Sequence, residues 1–219
     1  MKDTAMSALA SNSNLQLIQY GCGLSAPEGW RNFDASPTLR LQKIPVLGAL
    51  VTRGRVRFPA SVSFGDVVRG LPVPSQSSDA VYCSHVLEHL SLNDLRAALR
   101  ETYRILRPGG VFRGVLPDLE VLARSYVEST APDASTIFVR STLLGTEDRA
   151  SGLKGVVEMA LGNSRHLWMW DYKALAEELR AAGFVNLRPA RFGDGSLPQF
   201  AAVEQKDRWD DSLGFECRR

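Results

Sequence analysis

The residues best suited to chemistry in this chain stand at turn positions. Gly21-Cys22-Gly23 closes an apolar run, Leu15 to Tyr20, that reads as a strand. Glycines lack a Cβ, so such a turn can be sharp and can admit a ligand against the main chain. Asp34 and Asp66 each end a further candidate strand, where a carboxylate can accept hydrogen bonds from neighbouring hydroxyls or an amine. His85 and His166 are candidates for removing a proton from a bound hydroxyl, because an unperturbed imidazole titrates near neutrality. Each has a plainer alternative. The aspartates can cap turns, His85 can satisfy a carbonyl at a strand end, and His166 can pack on Trp168 or Trp170.

The elements that must position these residues alternate between strand-like and helix-like periodicity, the pattern of an α/β domain with a mostly parallel sheet. After Leu15 to Tyr20 come candidate strands at Trp30 to Ala35, Ser61 to Phe64, Asp79 to Cys83 and Val111 to Leu116. Thr38 to Ala60, with Pro45, Gly48, Gly54 and Pro59, reads as an irregular, mobile excursion. A helix is expected from about Ser91 to Arg107, with Ser91 as cap, Asp94 as capping-box partner, and Leu95, Leu99, Thr102 and Leu106 on one face. Pro108-Gly109-Gly110 should stop it. A second helix should start at the cap Asp171 and end at Gly183, followed by strands Val185 to Arg191 and Phe200 to Gln205. Residues 117–170 are too long for a simple connection and read as an inserted helical cap. The whole, 1–219, is expected to be one domain: a cofactor-binding half (15–116), the cap (117–170), and a C-terminal helix and strands (171–205).

Composition narrows the function classes. Of 219 residues 44% are hydrophobic and 23% charged, and the formal net charge is +2, as in an ordinary globular protein. No dense basic block with interleaved aromatics appears, so no nucleic-acid partner is expected. No segment approaches the roughly 20 apolar residues of a membrane span, and the polar start of the chain lacks a signal peptide's apolar run, so a cytoplasmic location is expected. Cys22, Cys83 and Cys217 are scattered without metal-ligand spacing and read as free thiols, with no metal expected. Oligomeric state leaves no trace in the sequence.

Gly21 to Ala26 satisfies a dinucleotide fingerprint with Ala in its third glycine place, yet Pro27-Glu28-Gly29 leaves no room for the helix whose N-terminus would hold a pyrophosphate. A nicotinamide or flavin is the weaker reading. A ligand without phosphates fits better: glycines against its main contact, a carboxylate for ribose, a second for an adenine amine. S-adenosylmethionine is such a ligand.

The order of the pieces carries a resemblance. Tyr20-Gly21-Cys22-Gly23, Asn32-Phe33-Asp34-Ala35-Ser36, Asp66 with Leu71-Pro72-Val73-Pro74, Ser78 to Leu90, and Arg104 to Gly110 together resemble the class I S-adenosylmethionine-dependent methyltransferases of the type 11 branch. The resemblance implies a Rossmann-like seven-stranded sheet flanked by helices, and S-adenosylmethionine as cofactor. It places Gly21, Cys22 and Gly23 at the methionine moiety, Asp34 and Ala35 at the ribose, Asp66 at the adenine amine, and Ser84, His85 and Val86 along the cofactor. It gives His89 a structural turn. His166 and the aromatic run Trp168 to Trp170 look like a subgroup associated with glycan biosynthesis, so a small-molecule or sugar acceptor is expected. One departure stands out: only Leu24 to Gly29 replaces the helix the family places before its second strand. A non-catalytic relative and a nucleotide-cofactor oxidoreductase are the competing classes.

Overall fold

The computed structural model describes residues 15–44, 57–146 and 165–219. Seven strands form one sheet: β1 (Leu17–Tyr20), β2 (Trp30–Asp34), β3 (Ser63–Phe64), β4 (Ser78–Ser84), β5 (Leu106–Pro117), β6 (Val185–Ala190) and β7 (Ser212–Arg218). Their order is β3-β2-β1-β4-β5-β7-β6. The first five pair in parallel, whereas β7 is antiparallel to both neighbours. The strand order reverses between β1 and β4, and a crevice opens there at the carboxyl ends of the strands, where open α/β sheets bind ligands.

Alternation along the strands sorts side chains to two faces. Ile18, Tyr20, Val81 and Phe112 join one apolar cluster, while Leu17, Ala80, Tyr82 and Val111 join another. The first face is covered by α2 (Leu92–Ile105) and α5 (Tyr172–Ala181), through Leu95, Leu99, Leu175 and Leu179. Ser91 accepts from the Asp94 amide at 3.2 Å and donates its hydroxyl to the Asp94 carboxylate at 2.7 Å. Asp171 accepts from the Ala174 amide at 2.7 Å, and Gly183 (φ +101°) ends α5 in the left-handed region.

The second face bears on the short first connection. Residues 21–29 contain only turns, so no helix lies there. The face is instead covered from the C-terminal side, where Phe200 packs on Trp30 and Tyr82 at ring distances of 5.8 and 6.2 Å, with Val203 and Trp209 beside it. Burying a side chain of that size contributes roughly 1.5–3 kcal/mol.

The structure departs from the sequence reading in three places. Strand β5 starts at Leu106, directly after α2, and runs through Pro108-Gly109-Gly110; a register shift between Ser78 and Ala80 absorbs the irregular stretch. Phe200 to Gln205 is not a strand. Pro198–Ala202 forms a 3-10 turn that aims Phe200 and Val203, three residues apart, at the sheet, and the last strand is β7. The excursion after β2 opens with a short helix, α1 (Pro37–Gln42), started by a proline in its first turn; residues 45–56 of that excursion lie outside the described residues.

Of the expected cap, the described part is a pair of helices, α3 (Leu119–Glu128) and α4 (Ala134–Ser141), which pack Tyr126 on Phe138 and bury none of their own residues. Residues 147–164 lie outside the described residues. The Leu119 amide donates to the Trp170 carbonyl at 2.9 Å, joining the start of the insertion to its end.

Candidate active site

The end of β1 folds back sharply. Gly21 and Gly23 have φ of +62° and +54°, and a Cβ on Gly21 would stand 2.2 Å from Val86 Cγ2. The turn is tied to the next strand by the Cys22 amide, which donates to the Phe33 carbonyl at 3.1 Å. It is tied to Asp34 as well. The Gly23 amide donates to Asp34 Oδ2 at 2.9 Å and the Ser36 amide to Oδ1 at 2.8 Å. Each carboxylate oxygen keeps a second lone pair, and Asp34 also lines a cavity.

That cavity, about 660 Å³, is bounded by Gly21, Asp34 and Ala35 on one side and by Asp66, His85 and Val86 from neighbouring loops. Its volume lies within the few hundred to roughly 1,000 Å³ typical of small-molecule sites. Asp66 turns its own loop by accepting from the Val68 amide at 3.0 Å, with Arg69 Nε 3.4 Å from its other oxygen. A second hollow of about 300 Å³ shares Gly21 and is lined by Cys22, Gly23, Ser84, Gln205 and Arg208. Every cofactor-side residue expected from the sequence therefore borders one hollow or the other. Burial pushes the Cys22 thiol up to about 12, with the Asp34 carboxylate adding to the effect, so it stays protonated and inert.

The histidines arrange themselves around a residue the sequence reading passed over. Glu88 is 1% exposed, in the 3-10 turn Leu87–His89 that follows β4. Its Oε1 lies 3.3 Å from His85 Nδ1 and 3.9 Å from both His89 Nε2 and His166 Nε2. These are all three histidines of the chain. The end of the insertion is stitched over this turn: the Leu167 and Trp168 amides donate to the Glu88 carbonyl at 2.7 and 3.2 Å. That pairing carries His166 inward.

Burial opposes protonation of His85, but the Glu88 carboxylate and the Arg208 carbonyl outweigh it and hold the pKa above the usual histidine value. Burial lowers that of His166, with the Glu88 carboxylate opposing. His85 and His89 line the larger cavity, whereas the wall from the insertion's end is Leu167 rather than His166. Trp170 and Met169 are buried, with Trp170 in the main core, and Trp168 is largely exposed, so the aromatic run does not wall the cavity.

The sheet order, closed by one antiparallel strand, has counterparts among known proteins. Residues 49–113 fit the family model described as a methyltransferase domain. The chain has the fold of the class I methyltransferases. A SAM-dependent methyltransferase from Thermotoga maritima superposes with a TM-score of 0.51 at 15% identity, over 98% of this chain and 86% of that one. Another, from Mesorhizobium loti, gives 0.49 at 17% identity over 98% and 95%. In sequence, an uncharacterized 37.1 kDa protein in transposon TN4556 of Streptomyces fradiae is 29% identical over 147 residues, which is 65% of this chain. The chain spans 42% of that relative's length.

The domain's residues fit the cofactor of this class. Among the described residues nothing lies within 4 Å of where a Cβ on Gly23 would stand, and Gly21 borders both hollows. Sequence reasoning gave no role to Glu88, which lies behind the larger hollow, gave His89 only a structural turn, and missed the bordering residues Leu167 and Arg208. A signal existed for the first two in the spacing His85-x-x-Glu88-His89. None existed for Arg208, whose approach depends on the C-terminal segment crossing the sheet.

Proposed function

We propose that this methyltransferase domain binds S-adenosylmethionine across the two hollows and transfers its methyl group to a small-molecule or sugar acceptor. The observation that carries this is the shared glycine turn, with Asp34 facing the larger hollow and Ser84 and Arg208 facing the smaller. When bound, the cofactor supplies a sulfonium methyl that an aligned nucleophile can take. The methyl would pass to the acceptor's lone pair, the S–C bonding electrons would stay with the cofactor as a neutral thioether, and the acceptor's proton would leave to solvent.

Each residue then has a defined task. Asp34, its backbone partners fixed, accepts from the ribose hydroxyls, and Asp66 accepts from the adenine amine. Arg208 is suited to the methionine carboxylate in the smaller hollow. The acceptor enters the larger one beside His85, His89 and Leu167. Both ring nitrogens of His85 are engaged, Nε2 with the Arg208 carbonyl at 2.9 Å and Nδ1 toward Glu88. His85 therefore serves as a positioned wall, His166 acts from behind through Glu88, and acceleration rests chiefly on alignment and exclusion of water. A nicotinamide reading finds no support, because no helix opens at the glycine turn to meet a pyrophosphate.

Titration calorimetry with S-adenosylhomocysteine and with NAD tests the reading. The first should bind and the second should not, and Asp34→Asn should weaken the first by about 1–3 kcal/mol. A parent protein that ignores S-adenosylhomocysteine would overturn it.

A further inference from the structure

Backbone carbonyls dictate how the histidines around Glu88 hold their protons. A carbonyl only accepts, so the 2.9 Å contact of His85 Nε2 with the Arg208 carbonyl requires Nε2–H, and the 2.8 Å contact of His89 Nδ1 with the Arg165 carbonyl requires Nδ1–H. In the neutral rings, the remaining nitrogens, His85 Nδ1 and His89 Nε2, are left with lone pairs. Both are turned toward Glu88 Oε1, and His166 Nε2 approaches the same atom. Among the described residues, neither Glu88 carboxylate oxygen has a hydrogen-bond partner meeting ordinary geometry. The centre of the cluster is thus a buried convergence of electron pairs, and it calls for positive charge.

We propose that Glu88, His89 and His166 form a binding site for a divalent transition-metal cation of the zinc type, with His85 as an adjacent donor. Their ligand atoms all lie within 4.8 Å of one another. Four-coordinate zinc, with bonds of about 2.0–2.2 Å, needs donors roughly 3.4 Å apart, so closure is a matter of side-chain adjustment. Two histidines and a glutamate are a donor set that leaves a coordination position for a further ligand. Histidines that bind metal characteristically donate their other N–H to a carbonyl, which is the arrangement seen at His89. His89 also lines the larger cavity, so the open position can face it. Resting on the methyl-transfer reading above, such a cation would hold an acceptor hydroxyl and make it easier to deprotonate.

The test uses the full chain without an affinity tag, stripped by chelator, and zinc alone as the probe. Because all three histidines belong to the cluster and Cys22, Cys83 and Cys217 are buried, tight zinc uptake reports on this place. One equivalent should bind by calorimetry, and cobalt in its place should show the visible bands of a low-coordinate nitrogen and oxygen site. His89→Ala, at the half-exposed member, should weaken zinc binding about 10²-fold or more, as should Glu88→Gln with its shape retained. No stoichiometric uptake by the parent would overturn the proposal and leave protons as the compensating charge. Unchanged uptake in a folded His89→Ala protein would overturn it too. S-adenosylhomocysteine titration is run separately without metal, so a failure of cofactor binding would be seen apart from a failure of this site.

Discussion

At Gly21 the volume a side chain would need is already filled by Val86, the residue after His85 in the loop that closes β4. Two effects oppose any replacement: the left-handed backbone (φ +62°) and the 2.2 Å approach of Cγ2 to an added Cβ. Gly21→Ala should cost about 1–3 kcal/mol through the backbone alone, with a comparable overpacking penalty added. Val86→Ala removes the colliding methyl and should return the second part only. Urea denaturation of the two single variants and the double variant would show a coupling of at least about 1 kcal/mol. Additive losses would mean that backbone strain is the whole cost. Through the same contact the turn and the histidine loop limit each other's conformations.

Among the elements, β5 carries an unusual residue for the middle of a buried strand. Arg113 is 0% exposed, and its guanidinium donates to Glu204 Oε1 at 2.6 Å, to Glu216 Oε2 at 3.3 Å and to the Arg191 carbonyl at 2.6 Å. It also lies over the Trp209 ring at 4.7 Å. Every partner except Glu216 belongs to the segment between β6 and β7 that covers the second face of the sheet, so Arg113 fastens that cover in place of packing a helix would supply. Arg113→Leu would leave Glu204 buried without its arginine, while Glu216 keeps Arg188, and should cost about 3–5 kcal/mol in chemical denaturation. A loss below 1 kcal/mol would show that water can take over from the arginine. Glu204 also accepts from the Gly193 amide at 2.9 Å, so the loss should spread into that loop.

For the molecule as a whole, cohesion is uneven. The sheet and α2 and α5 hold the large side chains of the core, while α3 and α4 bury none of their residues and lean mainly on each other. Hydrogen exchange on the free protein should therefore find α3 and α4 opening well before β1, β4 and β5. Protection of α3 and α4 equal to that of the sheet would make them part of the rigid core. The comparison matters for function, because the far end of the same insertion supplies Leu167 to the cavity wall and His166 to the Glu88 cluster behind it. Among the described residues no helix is long and apolar enough to cross a membrane.

What could be read from the chain alone was local. Leu15 to Tyr20 before two glycines, the cap residues Ser91 and Asp171, and aspartates after strands are signals carried by neighbours in sequence, and they located most of the sheet, two long helices and residues that line the crevice. The failures were of another kind. Pro108-Gly109-Gly110 looks like a stop because a strand's tolerance of it depends on β4 shifting register, and Phe200 to Gln205 looks like a strand because a 3-10 turn facing a sheet presents similar apolar residues. Strand β7 went unread, since Gly214 and Glu216 interrupt it and Glu216 is tolerable only between Arg113 and Arg188 on the flanking strands. The cluster at Glu88 was the least legible of all. His85 and His89 flank it in sequence, but His166 stands 78 residues beyond Glu88 and is brought in by two amides donating to one carbonyl. A single sequence records which side chains exist and how their neighbours bend the chain. Which lone pairs finally face one another is decided only when distant segments pair.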